Sequence, residues 1–418
     1  MRTKRIAISF LSALILTVVT GGLFANGTQE TSKPKLLVSR WAGPHADDLK
    51  QVVKDYTAAD VTIDDVDYSS LRQKQLTSFE AAQGSGNYDV VWVASQWMKE
   101  YVDAGYIMPL DDLIKAKKLD LSIYAKGMLE GAQFYGKTYG LPTFAQTLIL
   151  AYDSAAFQKA GLAVPKTSAD LVAVAKYFKE HDGTGIAIPA KQGSASVNVY
   201  SQLLFSNGGY YLDASGKLDL MSPASISAAK TYQQLAKYSV QGSLAWHHDE
   251  VAQSVRMKTA PIGIVMSGLA NQFADPEKSK VVDTIRYAEF AGDTGKASAN
   301  NNFWVWTLPK NTNNASAAFD FIAWLTSPAT EKKMTLKDQQ ISAITSLADD
   351  PEVLKMAPFL PVTMKELANG RMDPVTKNFQ KLREALVVGL SQIASTDVDP
   401  ASVLQNIQNQ LSGVDFTK

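Results

Sequence analysis

Short apolar runs alternate with stretches of helical spacing over the first hundred residues of the predicted mature chain. The apolar runs predict strands at Lys35–Ser39, Thr62–Val66 and Val90–Val93. Apolar residues at helical spacing follow each run, and they predict helices between Pro44 and Tyr56, from Leu71 to Ala82 and near Trp97 to Ala104. A strand followed by a helix is the repeating unit of a parallel sheet, so this region predicts an α/β fold with a doubly wound sheet.

The middle and the end of the chain have a more helical pattern. Strands at Ile262–Met266 and Phe303–Leu308 are predicted as returns to the sheet. The clearest helical stretches are Ala169–Lys179, Ser225–Lys237, Glu250–Met257, Ala317–Leu325 and Gln380–Leu390. The pattern therefore predicts a second, more helical lobe, and no internal repeat suggests a solenoid.

The N-terminus has the features of an export signal. Arg2, Lys4 and Arg5 precede an apolar run that ends near Val19, and small residues lead to a plausible cleavage point after Ala25. The run is shorter than a membrane-spanning helix needs, although an uncleaved N-terminal anchor stays open. Since the chain contains 0 Cys, it has no disulfide and no lipid-accepting cysteine. We expect a freely diffusing periplasmic protein.

Composition and motifs narrow the function. The 41 basic and 41 acidic side chains balance, so the basic surface of a nucleic-acid-binding protein is absent. No G-x-S-x-G or Walker motif occurs, and His247-His248-Asp249-Glu250 is interpreted as a solvated helix start rather than a metal site. We expect no catalysis, no metal and no cofactor, although unassigned carboxylates leave a glycoside hydrolase open.

The tryptophans suggest a ligand with apolar faces and polar edges. Trp41 and Trp97 follow the first and third strands, and open α/β sheets bind ligands at the carboxyl ends of strands. Packing at helix starts explains them equally well. Trp246 lies in a polar loop and is a further candidate. Sugars fit such residues, because a pyranose stacks on aromatic rings while amide and charged side chains bind its hydroxyls.

The other tryptophans are better explained by the core. Trp92 lies within an apolar strand and Trp324 within an apolar helix. Trp304 and Trp306 share one face of their strand, which favours a buried pair.

Several ordered segments resemble a known family. They run from Asn87–Val93 through Ala104–Asp111, Gly136–Pro142, Leu150–Asp153 and Pro165–Thr167 to Ala317–Pro328. In this order they resemble the solute-binding proteins of carbohydrate ABC importers, the maltose-binding-protein-like family 1. The resemblance implies a two-lobed periplasmic-binding-protein fold of type II, a Venus flytrap whose hinge strands cross between the lobes.

The resemblance also implies domain boundaries and partners. They are a signal peptide at 1–25, a spacer at 26–33, lobe one at 34–142 plus 303–360, and lobe two at 143–302 plus 361–418. A monomer would bind a sugar, sugar alcohol or short oligosaccharide in the cleft and deliver it to the transmembrane subunits of an ABC permease.

By family position the pocket candidates are Trp41, Gln96, Trp97, Phe144, Gln146, Trp246, Ser267, Asn301 and Trp304. The aromatic residues would stack on the ligand, and the amide and hydroxyl side chains would bind its hydroxyls. His45 and Arg371 are further candidates for which a surface position fits equally well. An alternative ligand is a charged solute such as an amino acid or a phosphate ester, which would need Arg40, Arg72 or Arg371 in the cleft.

Overall fold

A computed structural model describes residues 33–42, 46–83, 87–300, 302–374, 376 and 378–416. The predicted signal peptide and the pocket candidates His45 and Asn301 lie outside the described residues. Pro34–Lys418 forms one compact unit. Within the described residues, no helix has the length and apolar character needed to cross a membrane.

Eleven strands of the described chain form two larger sheets and one small hairpin. The first sheet has the order β2-β1-β3-β11-β6, the second sheet has the order β10-β7-β9-β8, and β4 pairs with β5. The strands are β1 Lys35–Trp41, β2 Asp60–Val66, β3 Val90–Ala94, β4 Gln133–Phe134, β5 Lys137–Thr138, β6 Leu141–Gln146, β7 Leu148–Asp153, β8 Ile186–Ala187, β9 Ile262–Met266, β10 Ile285–Ala288 and β11 Asn302–Thr307.

Helices cover both sheets. They are α1 Ala46–Val53, α2 Tyr68–Glu80, α3 Ser95–Asp103, α4 Asp111–Lys117, α5 Lys126–Glu130, α6 Ser154–Ala160, α7 Ser168–His181, α8 Ser194–Ser206, α9 Pro223–Lys237, α10 His248–Arg256, α11 Ala315–Leu325, α12 Pro328–Asp338, α13 Pro351–Met356, α14 Leu360–Ala368, α15 Phe379–Ser395 and α16 Pro400–Gln410. Short 3-10 turns include Ser243–Ala245 and Ser267–Phe273.

The first sheet confirms the predicted parallel core. β1 pairs in parallel with β2 and β3, and every residue of β3 is buried, as expected for a strand covered on both faces. β11 runs antiparallel between β3 and β6. The carboxyl ends of β1, β2, β3 and β6 therefore meet the amino end of β11 at one edge of the sheet.

The second sheet contains more strands than the sequence pattern predicted. β7 pairs antiparallel with β9 and β10, while β8 pairs parallel with β9. The run Leu148–Asp153 is too short for periodicity alone to distinguish a strand from a helix, and β8 is only two residues long. Since only Thr147 separates β6 from β7, the end of β6 in the first sheet adjoins the start of β7 in the second sheet.

Local signals explain several helix boundaries. Thr167 and Asp170 form a capping box at the start of α7, and Ser222 caps α9 ahead of Pro223. Gly263 lets α10 approach β9, because a Cβ there would lie 2.7 Å from Val255 Cγ2. α15 packs against α8, α9 and α16, which places its residues beside the second sheet.

Candidate functional site

Four aromatic side chains meet at the edge of the first sheet where β1, β2 and β3 end. Trp41 ends β1, Tyr68 begins α2 just after β2, Trp97 lies in α3 just after β3, and Trp304 lies near the start of β11. We call these four residues the aromatic group. Topology brings them together, because parallel strands end at the same edge of a sheet.

The rings of the aromatic group pack against each other. Trp41 stacks on Trp304 with ring centroids 5.6 Å apart, and Tyr68 stacks on Trp97 at 5.6 Å. Edge-to-face contacts join Tyr68 to Trp41 at 5.8 Å and to Trp304 at 6.2 Å. Offset and edge-to-face pairs are the favoured aromatic geometries, so the cluster forms a stable wall.

Buried residues support this wall from below. Trp92 stacks on Trp304 at 4.5 Å and on Trp306 at 5.5 Å, and the guanidinium of Arg40 lies 4.9 Å from the Trp92 ring centre. Phe144 is also buried, with its ring 6.2 Å from that of Trp92. Because Trp304 is only 3% exposed, it positions the wall and offers almost no surface of its own.

Tyr68 is the most exposed member of the aromatic group, at 46%, while Trp41 and Trp97 are half-buried. Its hydroxyl oxygen accepts a hydrogen bond of 3.2 Å from the exposed amide of Gln96. Burial raises the pKa of Tyr68, while the positive charge of Arg383 opposes that shift. Arg383 on α15 therefore acts electrostatically on the aromatic group from the side of the second sheet.

Arg383 belongs to a polar cluster with Asp373 and Asn300. Its Nη1 donates to Asp373 Oδ2 at 2.8 Å, and the Asn300 amide donates to Asp373 Oδ1 at 3.2 Å. Arg383 and Asp373 are both partly exposed. In the described chain, the other guanidinium nitrogens of Arg383 have no hydrogen-bond partner, so they can donate to a solute.

Burial raises the pKa of Asp373, and Arg383 acts in the opposite direction. The paired carboxylate and guanidinium thus offer acceptors and donors side by side. This arrangement suits a solute with adjacent hydroxyl groups, because each hydroxyl both donates and accepts.

Gln146 and Ser267 lie where the two sheets adjoin. Gln146 ends β6, and its Oε1 would be 2.9 Å from a Cβ at Gly268. Ser267 is fully buried, and its Oγ accepts from the amide of Thr147 at 3.0 Å. In this conformation the Ser267 hydroxyl binds the chain itself, so it joins β9 to the crossover at Thr147.

Within the described chain, Trp246 and Arg371 make no ring contact with the aromatic group. Trp246 is half-buried beside Gly242 and makes no ring contact within the described chain. Arg371 is exposed; its guanidinium donates to the carbonyl of Gly209 at 3.2 Å and lies 5.9 Å from the Tyr210 ring centre.

A cavity of about 740 Å³ opens beside Arg371 and Tyr210. Asp293 in its lining accepts from Ser227, and the guanidinium of Arg371 lies over the Tyr210 ring. Among its described lining residues Tyr210 is the one aromatic side chain, whereas the edge of the first sheet carries four. The edge with Tyr68, Gln96 and Arg383 is the better candidate site.

Two expectations about individual residues need correction. His248 is buried rather than solvated, and burial lowers its pKa to about 3, while His247 and Glu250 form the expected helix start. Trp324 is only half-buried, packed on Phe321 at 6.1 Å. His248 faces inward because α10 packs that side against β9.

The arginines considered for a charged ligand are otherwise engaged. Arg40 is buried, with Nε 3.9 Å from Asp65, and Arg72 pairs with Glu100 at 2.5 Å on the surface. Among the described residues, no group of three His, Cys, Asp or Glu side chains could hold a metal ion.

Sequence reasoning missed Tyr68, Asp373 and Arg383. The signal for Tyr68 was present, because it follows the second strand just as Trp41 and Trp97 follow the first and third. No local pattern marked Asp373 or Arg383. Arg383 depends on how α15 packs against α8 and α9, and Asp373 lies in the segment before α15, where Arg371 bridges to Asn300.

Comparison with known proteins gives a consistent result. Residues 42–332 match a family model described as bacterial extracellular solute-binding protein. A probable amino-acid ABC transporter periplasmic-binding protein of Sinorhizobium fredii is 27% identical over 374 residues, which is 86% of this chain and 84% of that protein.

Solved structures share the fold over most of the chain. A solute-binding protein of Agrobacterium radiobacter in complex with ribitol is 25% identical with a TM-score of 0.76, covering 91% of this chain and 98% of the other. The maltose-bound MalE3 of T. maritima is 20% identical with a TM-score of 0.78, covering 90% and 99%. The predicted two-lobed periplasmic-binding-protein fold is confirmed.

Proposed function

The chain belongs to the bacterial extracellular solute-binding protein family, and from this premise we propose that it is the solute-binding component of a carbohydrate ABC transporter. Its ligand is a sugar, a sugar alcohol or a short oligosaccharide. The ligand lies between the two sheets, against the aromatic group, and the loaded protein delivers it to the transmembrane subunits of a permease.

One observation carries this proposal. An aromatic wall with Tyr68 exposed stands beside the amide of Gln96, and the charge of Arg383, which is paired with Asp373, opposes the rise in the pKa of Tyr68. Carbon-bound hydrogens of a polyol or a pyranose pack against rings, while hydroxyl groups need donors and acceptors placed together. Two of the solved structures similar to this chain carry ribitol and maltose, which have this chemistry.

Binding, rather than bond making, is the proposed activity. A solute that contacts both lobes lowers the free energy of the closed conformation, and a permease can recognise that conformation. The proposal includes a monomer in the periplasm, with its signal peptide removed near Ala25.

Calorimetric titration with a panel of pentitols, hexitols, monosaccharides and maltose tests the proposal. We expect saturable binding of at least one panel member and loss of that binding when Trp97 is replaced by Ala. A folded protein that binds none of these compounds would contradict the carbohydrate assignment.

A charged solute is the second candidate. Within the described chain only Nη1 of Arg383 makes a hydrogen bond, and the relative in Sinorhizobium fredii is described as a probable amino-acid ABC transporter periplasmic-binding protein. Titration with amino acids and with glycerol phosphates separates the two candidates, because a carboxylate or phosphate needs the arginine far more than a neutral polyol does. Tight binding of such an anion, abolished by Arg383→Ala, would favour the charged solute.

A further inference from the structure

Two of the crossover segments between the lobes converge on one buried polar network. Thr147 joins β6 to β7, and residues 289–301 join β10 to β11. Between these crossovers lie the side chains of Gln202 on α8 and Glu366 on α14, which are almost completely buried. We call Gln202 and Glu366 the hinge pair.

Gln202 holds the first crossover with three hydrogen bonds. Its Oε1 accepts from Thr147 Oγ1 at 3.0 Å and from the Leu148 amide at 3.2 Å. Its Nε2 donates to the Leu148 carbonyl at 2.7 Å. The amide therefore bonds to both backbone groups of the first residue of β7.

Glu366 extends the network to the second crossover. Its Oε2 accepts from Gln202 Nε2 at 2.6 Å, and its Oε1 accepts from the Phe290 amide at 2.6 Å. The backbone carbonyl of Glu366 accepts from the Ala299 amide at 3.2 Å. Both carboxyl oxygens are thus used, one for each crossover.

Every polar atom of Thr147 makes a hydrogen bond. Its amide donates to Ser267 Oγ at 3.0 Å, and its carbonyl accepts from the Ser267 amide at 2.8 Å. Along these two connections, rotations at Thr147 and at the described residues 289–300 would change the relative angle of the sheets. A change of angle must therefore stretch or exchange the bonds of the hinge pair.

We propose that Gln202 and Glu366 are positioning residues that restrict the angle between the two lobes by tying both crossovers to one buried network. They act through the hinge and touch no ligand. The inference rests on the proposed function in one respect, namely that the two lobes close when the ligand binds.

The fully buried position makes Glu366 an expensive residue for stability alone. Burial raises its pKa well above the ordinary value, although the two hydrogen bonds oppose the shift. A buried carboxyl costs free energy that an apolar residue would avoid. A network that specifies one hinge geometry accounts for such a side chain at this position.

Single-molecule energy transfer between the lobes tests the inference. The chain contains 0 Cys, so dyes at Lys126→Cys on α5 and Asp182→Cys after α7 label it specifically. Glu366→Gln replaces one carboxyl oxygen by an amide nitrogen. That nitrogen would face either Nε2 of Gln202 or the backbone N–H of Phe290, so a donor would meet a donor. We expect a broader distribution of interlobe distances and at least ten-fold faster hydrogen exchange at the Leu148 and Phe290 amides.

Glu331→Gln is the matched control. Glu331 is also buried and accepts from Thr143 Oγ1 at 2.6 Å, but both residues lie beside the first sheet. We expect its distance distribution and the exchange of the same two amides to match the unsubstituted protein. An equal broadening in both variants, or none in Glu366→Gln, would overturn the inference.

Thr147→Val provides a milder test if Glu366→Gln does not fold. Valine keeps the shape of Thr147 and removes only the bond to Gln202 Oε1, so we expect a smaller broadening; an unchanged distribution would then overturn the inference. These measurements need no ligand. A protein that binds no carbohydrate but shows the broadening would refute the proposed function and leave the hinge inference standing.

Discussion

Replacing Tyr68 by Ala tests the ligand-facing surface of the aromatic group. Tyr68 is 46% exposed, and a buried tyrosine covers roughly 200 Å², so a bound solute can remove about 90 Å² of it from water. At about 25 cal/mol per Å² this contributes about 2 kcal/mol to binding. We therefore expect Tyr68→Ala to weaken ligand binding roughly 30-fold.

Calorimetric titration with the tightest ligand of the carbohydrate panel measures this loss. Tyr135→Ala is the control, because Tyr135 is even more exposed, at 72%, and lies at the turn between β4 and β5. Its hydroxyl bonds to Asp103 and Lys99 on α3, away from the polar cluster of Arg383. We expect its affinity to equal that of the unsubstituted protein.

An unchanged affinity in Tyr68→Ala would show that the solute does not lie against Tyr68. Tighter binding by Tyr68→Ala would contradict the prediction in sign as well as in size. It would mean that the Tyr68 ring, stacked on Trp97, occupies the position that a ligand ring takes.

Three further predictions concern charge, space and pH. Arg383→Gln should weaken binding at least ten-fold, whereas Lys381→Gln, which removes the same charge from an exposed position of α15, should leave calorimetric affinity unchanged. Gly268→Ala should lower affinity with little change in melting temperature, because its Cβ would lie 2.9 Å from Gln146 Oε1 and displace that flexible amide; an unaltered affinity would remove Gln146 from the site. Burial lowers the pKa of His248 from 6.5 to about 3. Below pH 6.5 the unfolded chain therefore binds a proton at His248 that the folded chain does not bind. The free energy of unfolding, measured in urea, should fall by about 1.4 kcal/mol per pH unit in that range. His248→Gln should flatten that dependence, and an equally steep curve in this variant would contradict the assignment.

The first sheet could be predicted because its strands carry their own signal. Val90–Ala94 is apolar at every position and can only be a covered strand or a short buried helix, and the flanking helices decide between them. In the second sheet β9 carries the same signal, but β8 and β10 lack it. Strand β8 has two residues, and β10 carries the exposed Arg286, so these strands exist because β7 and β9 pair with them.

The residues of the candidate site also fall into those that the sequence predicts and those that it does not. Trp41 and Trp97 follow strands directly, so a rule about strand ends finds them, and the same rule applied to Val66 would have found Tyr68. Arg383 and Asp373 are far apart from these residues in sequence. The position of Arg383 follows from the packing of α15 on α8 and α9, and that of Asp373 from its contact with Asn300; local periodicity specifies neither.

A crystal structure with the tightest carbohydrate of the panel tests the central claim most directly. The account predicts the solute between the two sheets, packed on Tyr68, with hydroxyl groups bonded to Gln96, Arg383 or Asp373. A solute bound instead in the cavity beside Arg371 and Tyr210 would contradict it.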